Sequence, residues 1–477
     1  MRVFIPKFRS IHHVGAVLIL IWICVFYFQE RLVPYLTIKK CGWPILEDEP
    51  FSTKVLLVAD PQLIDNHTYP GRNKMLLGLS KHTVDTYLKK NYQTIIRQLQ
   101  PEYVIFLGDY LDNGRSSSDK YYERELRRFK RIFYTKFSNT YKYNEKFLVN
   151  TPGNHDIGFG DGVKLESRQR FSTSFAPPNK VHTIESVEFI SLDTLSLAST
   201  KPEINSESQA FLELFGKSST PRILLSHVPL YRDKSLSCGP LREGVFNGDA
   251  QGYQYKSTIS SDITSLILEK IKPNLIFTGD DHDYCDILHT ETNSREIMVK
   301  SISMAMGIKY PAVQLLTFSN SKKFSYSTVM CYLPTPYINV VYYVLLSIFT
   351  GFVILIWNTK QKSARYNYSS ILPMIETETP SATAKKISNF LQEQELADMS
   401  SPRSSSSYYL QSSNTFSDPR KSSAKFQNSK FGVAFNRHKS KLTMFLRRWN
   451  VISFLKHSFY MGLSVILIYY VGFCLTL

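Results

Sequence analysis

The chain has 477 residues, 43% hydrophobic and 13% aromatic, with 57 Lys and Arg against 40 Asp and Glu. That length allows roughly three domains, that composition excludes a disordered polymer, and six cysteines exclude a disulfide-dense secreted scaffold. Of the net charge of +17, a surplus of 10 lies in residues 358–456, where 16 basic side chains face 6 acidic ones, so the charge does not describe a nucleic-acid-binding face on a folded domain.

In chain order, a short N-terminal stretch over 1–13, expected on the cytosolic side, leads into a run at 14–28 that has no polar side chain. Bulky Phe26, Tyr27 and Phe28 stand where a cleavage site needs small residues, so the expectation is a retained transmembrane signal anchor over 14–30. A block over 50–331 then alternates short apolar runs with helical patterns. Strands are expected at 54–59, 103–107, 147–150, 187–192, 222–226 and 274–278, with helices at 83–100, 120–137 and 258–271. Apolar runs at 297–302, 312–318 and 324–331 follow closely with no long helices between them and predict a second sheet. The fold class is therefore α/β, a sandwich of two sheets flanked by helices, plus three transmembrane helices. The second and third of these are the runs at 337–357 and 459–477, each long enough for a bilayer core that needs about 20 apolar residues. Lys360, Lys362 and Arg365 follow the second run, and Arg447, Arg448 and Lys456 precede the third. Cytosolic flanks carry the excess of Lys and Arg, so the basic, Ser-rich segment 358–458 is expected to be cytosolic and disordered, and the 50–331 block lumenal.

The chemistry lies at the strand ends. They read Asp60-Pro61-Gln62, Gly108-Asp109, Gly153-Asn154-His155-Asp156, Ser226-His227 and Gly279-Asp280-Asp281-His282. The carboxyl ends of strands in α/β sheets are where ligands bind. One such Asp is an ordinary cap or turn residue; five ligating groups in succession are not. Hydrolysis of a phosphate ester at neutral pH needs an activated water, charge neutralisation and a proton for the leaving oxygen, and two divalent cations supply the first two. Asp109 can bridge such a pair, with Asp60, Gln62 and His282 on one cation and Asn154, His227 and Asp280 on the other. His155 then remains as general acid, with Asp156 expected to orient its ring.

The order Asp-x-x, Gly-Asp, Gly-Asn-His-Asp, His, Gly-x-x-His over 54–283 resembles the calcineurin-like metallophosphoesterases. Ala59-Asp60-Pro61-Gln62-Leu63 and Gly279-Asp280-Asp281-His282-Asp283-Tyr284-Cys285, together with the membrane runs, are similar to one branch. That branch is the membrane-bound fungal enzymes of the endoplasmic reticulum and early Golgi that remodel glycosylphosphatidylinositol (GPI) anchors. The resemblance implies removal of ethanolamine phosphate from a mannose of the anchor glycan, the first mannose by similarity to one of two fungal types. It implies manganese as the metal, and GPI-anchored proteins or the GPI glycolipid as the substrate partners.

Two positions depart from the superfamily's usual pattern. Gln62 and Asp280 each stand where a histidine is usual, leaving two histidines among seven candidate ligands. An oxygen-rich set suits Mn²⁺ over Zn²⁺. Three carboxylates and one hydroxide also offset two divalent cations, and a near-neutral centre favours a singly charged phosphodiester. In the loop after His227, Arg232 and Arg242 could clamp phosphate and Glu243 could meet an ammonium group. Asn66-His67-Thr68 is a glycosylation sequon, usable only in the lumen. Of the lumenal cysteines, Cys238 and Cys285 both follow ligand strands, which favours that pair. The alternatives are a phosphomonoesterase or protein phosphatase on the same metal site, or a non-catalytic membrane organiser.

Overall fold

The computed structural model describes residues 11–47, 51–134, 145–369 apart from 234, 249 and 253, and 451–474, with backbone alone at 11–12 and 359–369. It divides into two units, residues 19–345 with 465–477, and residues 1–18 with 346–464.

Among the described residues of the larger unit, the chain builds thirteen strands. One sheet holds β1 (Thr53–Val58), β2 (Tyr103–Phe106), β3 (Phe147–Leu148), β12 (Ala312–Ser319) and β13 (Ser325–Tyr332), in the order β13-β12-β1-β2-β3. The other holds β4 (Lys180–Ile184), β5 (Val187–Ser191), β6 (Arg222–Leu225), β9 (Leu275–Thr278), β10 (Cys285–His289) and β11 (Ser294–Met298), in the order β10-β11-β9-β6-β5-β4. A small hairpin, β7 (Gln251–Gly252) with β8 (Tyr255–Lys256), stands apart.

The central strands carry near-continuous apolar runs because both their faces are covered. Val55 and Leu57 of β1 pack with Ile105, Phe189, Ile223, Leu225 and Phe277 in the layer between the sheets. Leu56 and Val58 point the other way, with Val104 and Phe106, into a cluster that includes Leu88, Tyr92 and Phe129 from the helices Lys74–Leu99 and Asp119–Phe133. The first of these helices is capped by Asn73, whose side chain accepts from the Met75 amide. It stops at Gln100, which turns left-handed before Pro101. The helix Ser261–Ile271 uses the same devices, with Ser260 as its cap and left-handed Lys272 before Pro273.

The late runs do not make a sheet of their own. β12 pairs antiparallel with β1 and carries β13 outside it, whereas β11 pairs parallel with β9 in the other sheet. β4 and β10 are strands that the apolar pattern missed. Each is the antiparallel edge of its sheet and only partly buried.

Among the described residues, three helices are long and apolar enough to cross a membrane: His13–Ile38, Ile338–Asn358 and Val451–Cys474. The first continues past the expected end at residue 30, through a π-helical turn at Phe28–Leu32. The second continues as helix to Ser369 and the third begins at Val451, so both ends of the 358–458 stretch are helical. The rest of that stretch lies outside the described residues. In the smaller unit, Val14, Leu18 and Ile354 form an apolar contact, and Asn358 meets the His457 ring at 3.2 Å. Two disulfides are present, Cys41–Cys331 and Cys238–Cys285.

Candidate metal centre

β1, β2 and β3 run parallel in one sheet, as do β5, β6 and β9 in the other. Their carboxyl ends meet at one edge of the sandwich. The Gly279 amide donates to the His227 carbonyl at 2.8 Å, joining the ends of β9 and β6. His227 Nδ1 lies 2.7 Å from the Leu107 carbonyl, joining β6 to β2 across the sheets. The Asp280 amide donates to Asp60 Oδ1 at 3.1 Å, joining β9 to β1. With Nδ1–H committed to a carbonyl, His227 Nε2 is the nitrogen that faces the centre.

Asp60, Asp109 and His282 place ligating atoms within 4.8 Å of one another. His227 Nε2 stands 3.3 Å from Asn154 Oδ1, 3.4 Å from Asp109 Oδ1 and 3.5 Å from Asp280 Oδ1. Two ligand groups thus share Asp109. Asp60, Gln62, Asp109, Asp280 and His282 all take left-handed backbone, with φ of 47°, 28°, 51°, 71° and 68°. Such strain in non-glycine residues persists only where surrounding structure holds it, and clusters at functional sites. Gly153 is needed for close approach: a Cβ there would overlap the Asp109 carboxylate and amide.

Electrostatics mark the same spot. Burial pushes Asp60 and Asp280 above the usual carboxylate range. Against the burial that pushes it down, the carboxylates of Asp109, Asp280 and Asp60 hold His227 up at about 10. Burial takes His282 down to about 4, leaving it as the neutral imidazole that ligates metals. Asp60 Oδ2, Asp280 Oδ2 and Gln62 Oε1 are buried with no hydrogen-bond partner. Orphaned buried oxygens are costly unless a cation takes them up, so the donor set fits bound divalent metal. Gln62 is turned for this by its own amide, which donates to Asp112 Oδ1 at 3.0 Å and leaves the carbonyl free.

Not every expected role survives. Asp156 does not orient the His155 ring. Its carboxylate accepts from the amides of Gly153 at 2.8 Å, Leu111 at 3.1 Å and Tyr110 at 3.2 Å, clasping the two motif loops together. The ring is held instead by Asp112, whose carbonyl lies 2.5 Å from His155 Nδ1 and whose carboxylate lies 3.6 Å away. Asp112 is itself fixed by Thr68 Oγ1 at 2.8 Å. No motif marked it.

The three substrate candidates are engaged elsewhere. Arg232 is buried, stacks on Phe246 with its guanidinium carbon 4.4 Å from the ring centroid, and points to Cys285 and Glu296. Arg242 pairs with Asp281 at 2.6 Å. Glu243 pairs with Lys300 at 2.5 Å and accepts from the amides of Lys309 and Tyr310. They brace the loop against the Asp280–Asp283 turn, and sequence proximity to a ligand was a poor guide to their role. A closer neighbour is the β7–β8 hairpin. The Gln254 carbonyl accepts from Asn154 Nδ2 at 3.0 Å, turning Asn154 Oδ1 inward. Burial and the charges of Asp280, Asp281 and Asp60 raise the Tyr255 phenol above its ordinary range.

Three carboxylates, two imidazoles and two amide oxygens drawn from five strand ends of a two-sheet sandwich define a dinuclear metallohydrolase. The calcineurin-like phosphoesterase profile matches residues 53–284. The chain is 38% identical over 344 residues to Cell division control protein 1 of Saccharomyces cerevisiae, a match covering 67% of this chain and 69% of that one. It is 28% identical over 355 residues to Metallophosphoesterase 1 of Danio rerio, covering 69% and 87%. With Metallophosphoesterase 1 of Ailuropoda melanoleuca it shares 26% over 340 residues, covering 65% and 81%. The chain belongs to the calcineurin-like phosphoesterases and is a metal-dependent phosphoesterase with membrane helices.

Proposed function

We propose that the protein hydrolyses a phosphodiester on a membrane glycolipid or lipid-anchored protein, removing ethanolamine phosphate from a mannose, the first, of GPI anchors. The observation that carries this reading is Asp280, a third buried carboxylate at the centre with one oxygen unpartnered. It brings a pair of divalent cations close to neutrality and so favours a monoanionic diester over a dianionic monoester. The membrane helices support a lipid-linked substrate, since tethering raises the effective concentration at the surface where that substrate lies. The resemblance described above supplies the sugar and ethanolamine. The oxygen-rich donor set supports Mn²⁺, and the flanking Lys and Arg support a lumenal domain in the endoplasmic reticulum or early Golgi.

The cations, when bound, supply charge neutralisation at the phosphoryl oxygens and a nucleophile at neutral pH. Asp109 would hold both, Asp60, Gln62 and His282 one, and Asn154, His227 and Asp280 the other. His155 does the proton work. Its Nδ1–H is spent on the Asp112 carbonyl, and its side chain is 26% open. Nε2, which lies 3.2 Å from the Gln62 side-chain nitrogen beside the centre, gives its proton to the mannose oxygen as the P–O bond to the sugar breaks. Water adds to phosphorus, and the products are ethanolamine phosphate and a free sugar hydroxyl.

The test uses the full-length protein in detergent with Mn²⁺, comparing ethanolamine phosphate release from a GPI glycolipid with hydrolysis of an aryl monophosphate. The diester is expected to be preferred and Asp109→Asn to abolish release. Preference for the monoester would move the assignment to a phosphomonoesterase. An Asp109→Asn variant as active as wild type would leave only a non-catalytic role.

A further inference from the structure

The helix Lys74–Leu99 covers the outer face of the first sheet, and one of its stripes does something else. Residues 75, 79, 82, 86 and 90 follow one another at four- and three-residue spacing and so share a face. Two of them touch the membrane helices. Lys90 Nζ pairs with Glu30 Oε2 of the first at 2.6 Å, and Glu30 in turn accepts from Asn339 at 3.1 Å, at the start of the second. His82 Nε2 meets Cys474 Sγ at 3.4 Å, at the end of the third, and its ring lies 6.2 Å from Tyr470. The stripe therefore runs along the boundary where the membrane helices emerge into the domain.

Towards the helix N-terminus the stripe outruns its cover. Met75 is 87% exposed and Leu79 61%, with Leu76 beside them at 52%. Met75 lies seven residues before His82, about 10 Å further along the axis at 1.5 Å per residue. Solvent is a poor neighbour for three large aliphatic side chains clustered in two turns, and such clusters mark contact surfaces. The residues around them suit a headgroup layer: Lys74 opens the helix, and the Arg72 guanidinium sits 3.6 Å from the centroid of the Tyr69 ring.

We propose that the first two turns of this helix are seated in the bilayer, with Met75, Leu76 and Leu79 at the boundary between phospholipid headgroups and acyl chains. The occupant is lipid, because the same face, a few residues on, is continuous with the membrane helices themselves. The contact is monotopic, adding to the three spans without crossing. Where the reading of a lipid-linked substrate holds, it also places the ligand loop that begins at Asp60, which leads directly into this helix, close to the surface carrying that substrate.

The experiment uses full-length protein in phosphatidylcholine nanodiscs, with the free cysteines Cys24 and Cys474 replaced by serine and the disulfides kept oxidised. Met75→Cys, Leu79→Cys and, as a control on the helix Pro202–Leu212 over the other sheet, Ala210→Cys each carry a bimane fluorophore. Phosphatidylcholine bearing a nitroxide is expected to quench positions 75 and 79 severalfold more strongly than position 210. Equal quenching at all three positions would overturn the proposal. Because quenching needs no turnover, a failure of the GPI-anchor reading leaves this result interpretable.

Discussion

His155 differs from the other two histidines of the centre in resting its Nδ1 on Asp112, whose carbonyl lies 2.5 Å and whose carboxylate lies 3.6 Å away. A general acid matters in proportion to how badly the leaving group needs a proton. His155→Ala is therefore expected to lower kcat on a sugar phosphodiester by about 10²- to 10⁴-fold. On a nitrophenyl diester, whose leaving group departs unprotonated, it should cost much less. Asp112→Asn should show the same leaving-group signature in weaker form. If both substrates suffer equally, His155 acts on binding or metal retention and not on the leaving oxygen. A second prediction concerns the carboxylates. Burial and the neighbouring Asp109 push Asp156 from its ordinary 3.8 up to about 7, and burial raises Asp60 and Asp280. A folded value above the unfolded one contributes stability below the unfolded pKa, which is lost as pH rises through the folded pKa. His282 and His182, both pushed down by burial, work the other way between 6.5 and about 4, two groups against the raised Asp60, Asp112, Asp156, Asp280 and Asp281. Chelated protein should thus weaken as pH climbs from about 4 through about 7. The gain in Tm on adding Mn²⁺ should grow between about pH 5 and pH 8, as fewer protons compete with the cation. Thermal scans with and without chelator across that range decide it; a gain that shrinks with pH would contradict it.

At the scale of elements, the loop between β6 and β9 carries the hairpin that meets Asn154, and it is pinned at one end by Cys238–Cys285. Its other ties are Asp283, which accepts from the amides of Glu243 and Gly244, and the Arg242–Asp281 pair. Replacing Cys238 and Cys285 by serine should cost about 2–4 kcal/mol of stability, and should raise KM more than it lowers kcat, because the metal ligands have their own backbone ties. A kcat collapse with unchanged KM would mean that the disulfide supports the ligands themselves. This loop also shows where sequence legibility ends. The ligand positions could be read because each combines a chemically required residue with an apolar strand ending just before it. Arg232, Arg242 and Glu243 carried charge and proximity but no pattern, and the fold used them as internal braces. Asp112 was invisible because its work is done largely by a backbone carbonyl, which any residue supplies. Edge strands β4 and β10 escaped for a related reason: half-buried edges keep polar residues such as Lys180, His182 and Asp286, so no continuous apolar run announces them.

For the whole molecule, the question is how a soluble-type catalytic sandwich is held to membrane helices. Cys41–Cys331 ties the segment after the first span to β13, and the Glu30–Lys90 pair ties the span itself to the helix under the first sheet. Both partners are buried, Glu30 at 2% and Lys90 at 6% exposure, and Glu30 takes further hydrogen bonds from Asn339 and Tyr343. A buried pair of this kind adds little over an apolar contact, yet losing one member strands a charge at a cost of about 3–5 kcal/mol. Its use here is specificity: an acid inside a membrane helix tolerates only the docking that brings Lys90 to it, so it selects one orientation of domain on spans. Glu30→Gln keeps the acceptor for Asn339 and Tyr343 but abandons Lys90, and should lower Tm in nanodiscs substantially. Lys90→Met should do the same by abandoning the carboxylate. Combining the two should recover much of the loss, a coupling energy that a double-mutant cycle measures directly. If the two losses simply add, the pair is not the lock between spans and domain, and the orientation must rest on the disulfide and the apolar contacts around it.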